Sequence, residues 1–266
     1  MKIKIIVLSI FLLLLKTAFS QDEEIVHEHF RSTRVINLHN TESLTSGILE
    51  LKICHRFGAI SGGVNQLFGL DQATMRIALE YGVTDKLMVG FGRSTYQKTL
   101  DGFIKYNFFR QKRGGMPFSL SGLTTISMFT LEKTALKEYT LGSRIAYVNQ
   151  IILSSRLHDR FTLQISPTIV HKNLVETPDD ENTTYAIGIA SKFNMTKVIS
   201  INTEYIPRIT GRTTPEGEKN FDSFSLGVGI NTRGHFFEFH LTNSFPMVEK
   251  GYITCLLYTS PSPRDA

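Results

Sequence analysis

The chain has 266 residues, 41% of them apolar and 20% charged, with 20 Gly, 19 Phe, 9 Tyr, no Trp, two Cys and a formal charge of +5. That length admits one large domain or two small ones, and the composition excludes a collagen, a coiled coil and a highly charged disordered chain. A mean hydropathy of −0.05 excludes a multi-helix membrane protein.

Both ends stand apart from the rest. Residues 1–20 read as a secretory signal peptide, with Lys2 and Lys4 at its start, an apolar run from Ile5 to Leu15, and Ala18, Phe19 and Ser20 before Gln21. Lys16 interrupts the run, which is too short for a membrane-spanning helix, and no Cys at the cut indicates a lipid anchor. Residues 21–46 are expected to form a solvated periplasmic segment. At the other end, Cys255–Asp265 resembles the read-through of a transposon-based sequencing adapter, so residues 255–266 are expected to be an artefact. Without both ends the charge falls to +2, because Lys2, Lys4, Lys16, Arg264 and Asp265 leave the count. With no Lys/Arg stripe and no recognition-helix pattern, nucleic acid is not expected as a partner. Cys54 is then the one cysteine, as suits an exported chain without an internal disulfide.

From Gly47 onward the dominant period is two, the mark of strands with one apolar and one polar face. Leu49, Leu51 and Ile53 alternate with Glu50, Lys52 and Cys54, and Met75, Ile77, Leu79 and Tyr81 with Arg76, Ala78 and Glu80. Leu87, Val89 and Phe91 make a third strand; Ile104, Tyr106 and Phe108 oppose Lys105 and Asn107 in a fourth. A fifth, over 118–128, is blurred, and a sixth over 144–157 carries Ile145, Tyr147, Ile151 and Leu153. Five more follow, built on Phe161, Leu163, Ile165 and Ile169; Tyr185, Ile187, Ile189 and Phe193; Ile199, Ile201, Tyr205 and Ile209; Phe224, Leu226, Val228 and Ile230; and Phe237, Phe239 and Leu241. No segment keeps a helical period, so the chain is all-β.

The connections sort by parity. After even-numbered strands they are short (VTDK, RQKRGGMP, LHDR, NMTK, TRGH), and after odd-numbered strands longer and more polar, as around Asp179 and Pro215. A transmembrane up-and-down antiparallel β-barrel has this arrangement, with tight periplasmic turns and longer outer loops. The apolar faces suit lipid and the polar faces a lumen, and Phe57, Tyr81, Phe118, Phe161, Tyr185 and Phe193 fall near strand ends, where an interfacial girdle would sit. Eleven strands is odd, whereas single-chain barrels of this kind are even. The expectation is about 12 strands over a barrel domain of 47–254, the last one missing beyond Tyr252.

The run His55-Arg56-Phe57-Gly58, followed by Gly69-Leu70-Asp71-Gln72-Ala73, Arg76, Glu80-Tyr81-Gly82, Thr84-Asp85-Lys86-Leu87 and Gly90-Phe91-Gly92-Arg93-Ser94, resembles a Bacteroidota family of outer-membrane β-barrel proteins catalogued as a domain of unknown function. The resemblance covers most of residues 30–254. It implies location in the outer membrane, insertion by the barrel-assembly machinery and contact with outer-membrane lipid. It supplies no catalytic residue, cofactor or substrate. The family's last strand, ending in an aromatic residue as an assembly signal, has no counterpart here.

Four constellations could carry function. Glu50, Lys52, Arg56, Arg76 and Glu80 share lumen parity and form either a charged constriction selecting a small solute or a salt-bridged filling; the filling is favoured, since about twelve strands can be packed by their own side chains. His27-Glu28-His29 lacks a third metal ligand and reads as part of the solvated tail. His240, Thr242 and Ser244 loosely resemble the His/Ser arrangement of outer-membrane lipid-A deacylases, but their parity points away from lipid. Cys54 and His55 lack a second Cys for haem attachment. The expected role is therefore non-enzymatic: passage or binding of a small solute, or a structural envelope role. A lipid hydrolase and a soluble β-sandwich or lipocalin-like periplasmic binder are the alternatives.

Overall fold

The computed structural model describes residues 24–26, 29–131, 140–175, 181–210, 221–232 and 236–254. Residues 1–20, expected to be a signal peptide, together with His27, Glu28 and the adapter-like tail 255–266, lie outside the described residues.

All eleven alternating segments form strands of one antiparallel sheet. In chain order these are β2 (Leu49–Arg56), β3 (Thr74–Gly82), β4 (Leu87–Ser94), β5 (Thr99–Phe109), β7 (Ser119–Phe129), β8 (Ile145–His158), β9 (Phe161–Lys172), β10 (Thr183–Asn194), β11 (Ile199–Ile206), β12 (Ser223–Asn231) and β13 (Phe236–Thr242). Each pairs with its neighbours in sequence, apart from a small ribbon of β1 (Glu24–Ile25) and β6 (Lys112–Arg113) beside the β5–β7 link. β2 and β13 each pair on one side among the described strands. Ten antiparallel steps separate them, so the two edges run in the same direction.

The faces are inverted relative to a water-soluble protein. Leu51, Ile53, Ile77, Leu79, Phe91, Ile104, Ile165, Ile189, Phe224, Phe239 and Leu241 are exposed on the outer face, while Ser121, Ser127, Gln150, Gln164, Ser166 and Ser225 are buried on the inner one. Lipid offers no hydrogen bonds, so polar groups facing it must satisfy each other. Thr124 and Asn149 on the outer face do so at 2.9 Å, and Ser191 and Thr203 at 2.7 Å. The expected girdle residues Phe57, Tyr81, Tyr185 and Phe193 are exposed at or beside strand ends. No helix among the described residues is long and apolar enough to cross a membrane.

Loop parity holds with one exception. The even links span 83–86, 110–118, 159–160, 195–198 and 232–235, and the odd ones 57–73, 95–98, 130–144, 173–182 and 207–222. The 95–98 link is short because β5 begins at Thr99, ahead of the apolar run from Ile104. Gly102 on the outer face broke the sequence alternation there, although Thr99 and Asp101 already face inward.

The largest departure concerns residues 21–46. Val35, Leu38, His39 and Asn40 are almost completely buried. They touch β5, β9 and β11, which are far apart along the sheet, so the sheet wraps around them. Beyond β13 the chain again turns inward, and Glu249–Thr254 forms a short helix with Tyr252 and Ile253 buried. Its two aromatic and aliphatic side chains join Phe30, Val35, Leu38, Val148, Val170 and Ile206 in one apolar cluster, and Met88, Phe103, Leu123 and Ile152 form a second. Burial of these apolar side chains, about 1.5–3 kcal/mol each when complete, draws both segments inside.

Candidate functional site

The polar core inside the sheet is the concentration of chemistry in this chain. Alternation places the inner residues of every strand toward it. Opposite charges meet there because a buried ion without a partner is costly.

The inward segment enters beside Gly82, whose carbonyl accepts the N–H of Gly47 at 2.8 Å. A Cβ on Gly82 would lie 2.2 Å from the carbonyl oxygen of Thr45, so close backbone approach requires glycine here. Deeper in, Lys105 donates to the carbonyl oxygens of Asn40, at 3.2 Å, and Glu42. Gln164 donates to the His39 carbonyl at 2.8 Å. Thr41 and Ser154 share a hydrogen bond, and Asn107 donates to Ser43 at 3.1 Å. The His29 amide donates to Glu42 at 2.7 Å, and the His29 ring bonds Gln111 at 2.6 Å.

At the segment's centre, Glu204 of β11 accepts three successive backbone N–H groups, from Ile36 (2.8 Å), Asn37 (3.0 and 2.9 Å) and Leu38 (2.9 Å), together with the Asn37 side chain at 3.1 Å. These donors meet the lone pairs of a carboxyl group that burial has removed from water. Beside it, Arg34 pairs with Glu249 of the inner helix at 2.9 Å, and the His39 ring lies 3.3 Å from the same carboxylate. His39 also stacks edge-on against Phe103, with ring centroids 4.6 Å apart.

Electrostatics follow from this enclosure. Burial works against the Arg34 charge, but Glu249, Tyr252, Glu80 and Asp101 together outweigh it and hold the guanidinium above its ordinary range. Burial, then Arg34 and Lys105, keep His39 neutral far below its usual titration. Burial opposes ionisation of Glu42, yet the hydrogen bonds and charge of His29 bring its carboxyl below the ordinary value. Burial and the adjacent Glu249 push the Tyr252 phenol well up.

The five charges expected in the lumen do sit on the inner face, but not as one cluster. Lys52 bridges Glu80 at 2.7 Å and approaches Glu50 at 3.8 Å, while Thr33 donates to Glu80 at 2.9 Å. Arg76 instead forms a two-point pair with Asp101. Arg56 donates to the carbonyl oxygens of Ser244 (2.6 Å) and Pro246 (2.8 Å) and to the Asn37 side chain (2.6 Å), tying the end of β2 to the segment that follows β13. Of the motif residues, Arg56, Arg76 and Glu80 enter the core, whereas His55, Phe57, Asp71 and Arg93 are exposed and Gly58 is half-buried.

Sequence reasoning missed Arg34, Asn37, His39 and Glu249, which belong to segments with no strand period. It also left Asp101, Lys105 and Glu204 out of the cluster, although their parity marks them as inward. Cys54 is half-buried on the inner face. His29 is buried against Gln111, not solvated as the tail reading had it, because the segment is drawn inside. No group of three potential metal ligands is present among the described residues. His240 and Ser244 do not form a nucleophile–base pair: His240 Nδ1 and Ser244 Oγ are each buried without a hydrogen-bond partner. Thr242 bonds Ser225 at 2.9 Å and receives the Ser244 amide at 3.1 Å.

Compared with known proteins, the chain matches the family profile described as a membrane bound beta barrel domain (DUF5777) over residues 30–259. That range includes the inward segment from Phe30 and extends past the inner helix. No curated protein matches the chain. No solved structure matches it either.

Proposed function

Because the chain belongs to the membrane-bound beta barrel domain family, we propose that it is an outer-membrane barrel with a filled lumen, acting as a structural or solute-binding envelope protein and not as an open pore. The observation that carries this reading is the double filling of the interior by residues 29–46 and 244–254, with the charges of Arg34, Lys52, Arg56, Arg76 and Lys105 engaged by neighbours. An aqueous channel needs unfilled lumen; here a continuous polar and apolar core occupies it.

The outer face supports placement in lipid, with export by the leader and insertion by the barrel-assembly machinery. Strand direction is compatible with closure. The edges β2 and β13 run the same way, so a single strand placed between them and antiparallel to both completes an even, twelve-stranded barrel. Such a strand removes the unpaired edge groups that lipid cannot solvate. The role in this proposal is non-enzymatic; the hydroxyl and imidazole groups near the end of β13 are not joined into a relay, which argues against the deacylase-like alternative.

Planar-bilayer conductance of the gene product isolated from membranes tests the filled-lumen reading. The expected record is a quiet bilayer or rare brief openings. A large steady conductance in most insertions would overturn it in favour of passive solute passage.

A further inference from the structure

The connection 57–73 differs in kind from the other long ones. It contains one ionisable residue, Asp71, across Phe57–Ala73. By contrast, 130–144 carries Glu132, Lys133, Lys137, Glu138 and Arg144, 173–182 carries four acidic residues, and 207–222 carries six charges. Loops bathed in water are normally polar. Here Ile60, Val64, Leu67, Phe68 and Leu70 are all exposed, Val64 to 76%.

The loop is a built object and not a loose excursion. The Gly58 amide donates to the Gly69 carbonyl at 2.8 Å and closes its neck. A Cβ on Gly69, which has φ +92°, would lie 2.3 Å from the Gly58 carbonyl oxygen, so the pinch demands glycine. Between these points two short 3₁₀ turns, Ile60–Gly62 and Val64–Gly69, turn the apolar side chains outward. Leu67 and Phe68 are held at φ 44° and 53°, where bulky residues are rarely found.

The neck continues the outer face. Phe57 follows β2 with the same parity as Leu51, Ile53 and His55, and on β3 Ile77 and Leu79 lie on that face. A contiguous apolar surface of this extent marks an interaction site, and the surface it continues is the lipid-facing belt.

We propose that the 57–73 loop is a membrane-seated element, laying Ile60, Val64, Leu67 and Phe68 into the interfacial region of the leaflet at its end of the barrel. Lipid is the occupant because the loop has apolar side chains, almost no charge, and continuity with the belt; this inference rests on the membrane-barrel reading. An apolar segment at the headgroup–acyl boundary gains from burial of its side chains there.

The test is lipid accessibility in the full chain. With Cys54 and Cys255 replaced by Ser, single cysteines at Val64 or Ile60 are labelled with an environment-sensitive fluorophore, and the protein is folded into phosphatidylcholine vesicles. Ile104→Cys on the outer face of β5 serves as the belt reference and Asp159→Cys in a short turn as the water reference. The expected result is blue-shifted emission at 64 and 60, lost on adding lipid with a shallow nitroxide and insensitive to iodide. Iodide quenching at 64 and 60 matching position 159, with position 104 still quenched by lipid nitroxide, overturns the loop assignment alone. If position 104 also behaves like 159, the membrane reading itself fails and the loop assignment falls with it.

Discussion

Glu204 grips Asn37 through both carboxylate oxygens, at 3.0 and 2.9 Å from its amide, although 167 positions separate them in the chain. This contact, with the flanking amides of Ile36 and Leu38, holds the inward segment to the wall. Replacing Glu204 with Ala removes the acceptor of several buried donors. Each unsatisfied buried group costs about 1–3 kcal/mol, so E204A should weaken seating of the segment by roughly 3 kcal/mol or more. Hydrogen exchange at residues 34–40 should rise sharply while the strands stay protected. Unchanged exchange there would show that the clamp contributes little.

Arg34 and Glu249 join the two inward segments to each other. Their separation of 2.9 Å, with side chains 10% and 1% exposed, is that of a buried ion pair. Removing one member leaves an uncompensated charge and typically costs about 3–5 kcal/mol, whereas replacing both with apolar residues is often close to neutral. Glu249→Leu should therefore lower the temperature at which the folded band is lost on a heat-modifiability gel. The double variant Arg34→Met with Glu249→Leu should recover most of that loss. Additive losses would mean that the two charges do not depend on each other.

The strands were legible and the filling was not, and the reason is physical. Leu49, Leu51 and Ile53 announce their own strand because lipid and lumen impose a period of two on adjacent residues. The same parity could have collected Asp101, Lys105 and Glu204 into the charged core. Asn37 and His39 gave no such sign. Their segment has no ladder of its own, and its partners, Glu204 and Gln164, lie 167 and 125 positions away. A run including Phe30, Val35 and Leu38 among polar residues reads as a tail until the wall that satisfies it is known. The loop after β2 was passed over for a different reason: long loops were read as polar as a class, and 57–73 is the one that is not.

Acidification should loosen the interior. His39 titrates far below its ordinary 6.5 in the folded protein, held neutral by burial and by Arg34 and Lys105 against the opposing pull of Glu80, with Lys52 adding to the positive side. Its other near neighbour is the carboxylate of Glu249. Below 6.5 the unfolded chain binds a proton that the folded one does not, so stability falls as pH drops, by up to about 1.4 kcal/mol per pH unit for this one group. Glu42 adds a further loss below its ordinary 4.5, because its folded value is depressed. Protection of the amides at residues 29–46, corrected for the pH dependence of intrinsic exchange, should thus be lower at pH 5 than at pH 8, and His39→Gln should flatten the difference. A pH response unaltered in that variant would assign it to another group.

Ile104 separates the membrane reading from a soluble one. It lies near the middle of β5 on the outer face, 57% exposed, between the buried Phe103 and Lys105. On a water-soluble protein, a substitution at so exposed a site usually changes stability by no more than about 0.5 kcal/mol. In a bilayer, Lys or Arg at the midplane of the lipid face costs about 2–4 kcal/mol. Ile104→Arg should therefore lower folding stability by about that amount in urea titrations with phospholipid vesicles. Moving the same substitution to Phe109, at the end of β5, should reduce the penalty to about 1 kcal/mol or less, since charges near the interface are tolerated. Equal, negligible effects at both positions would mean that the apolar face meets water or another protein, and the lipid belt would have to be abandoned.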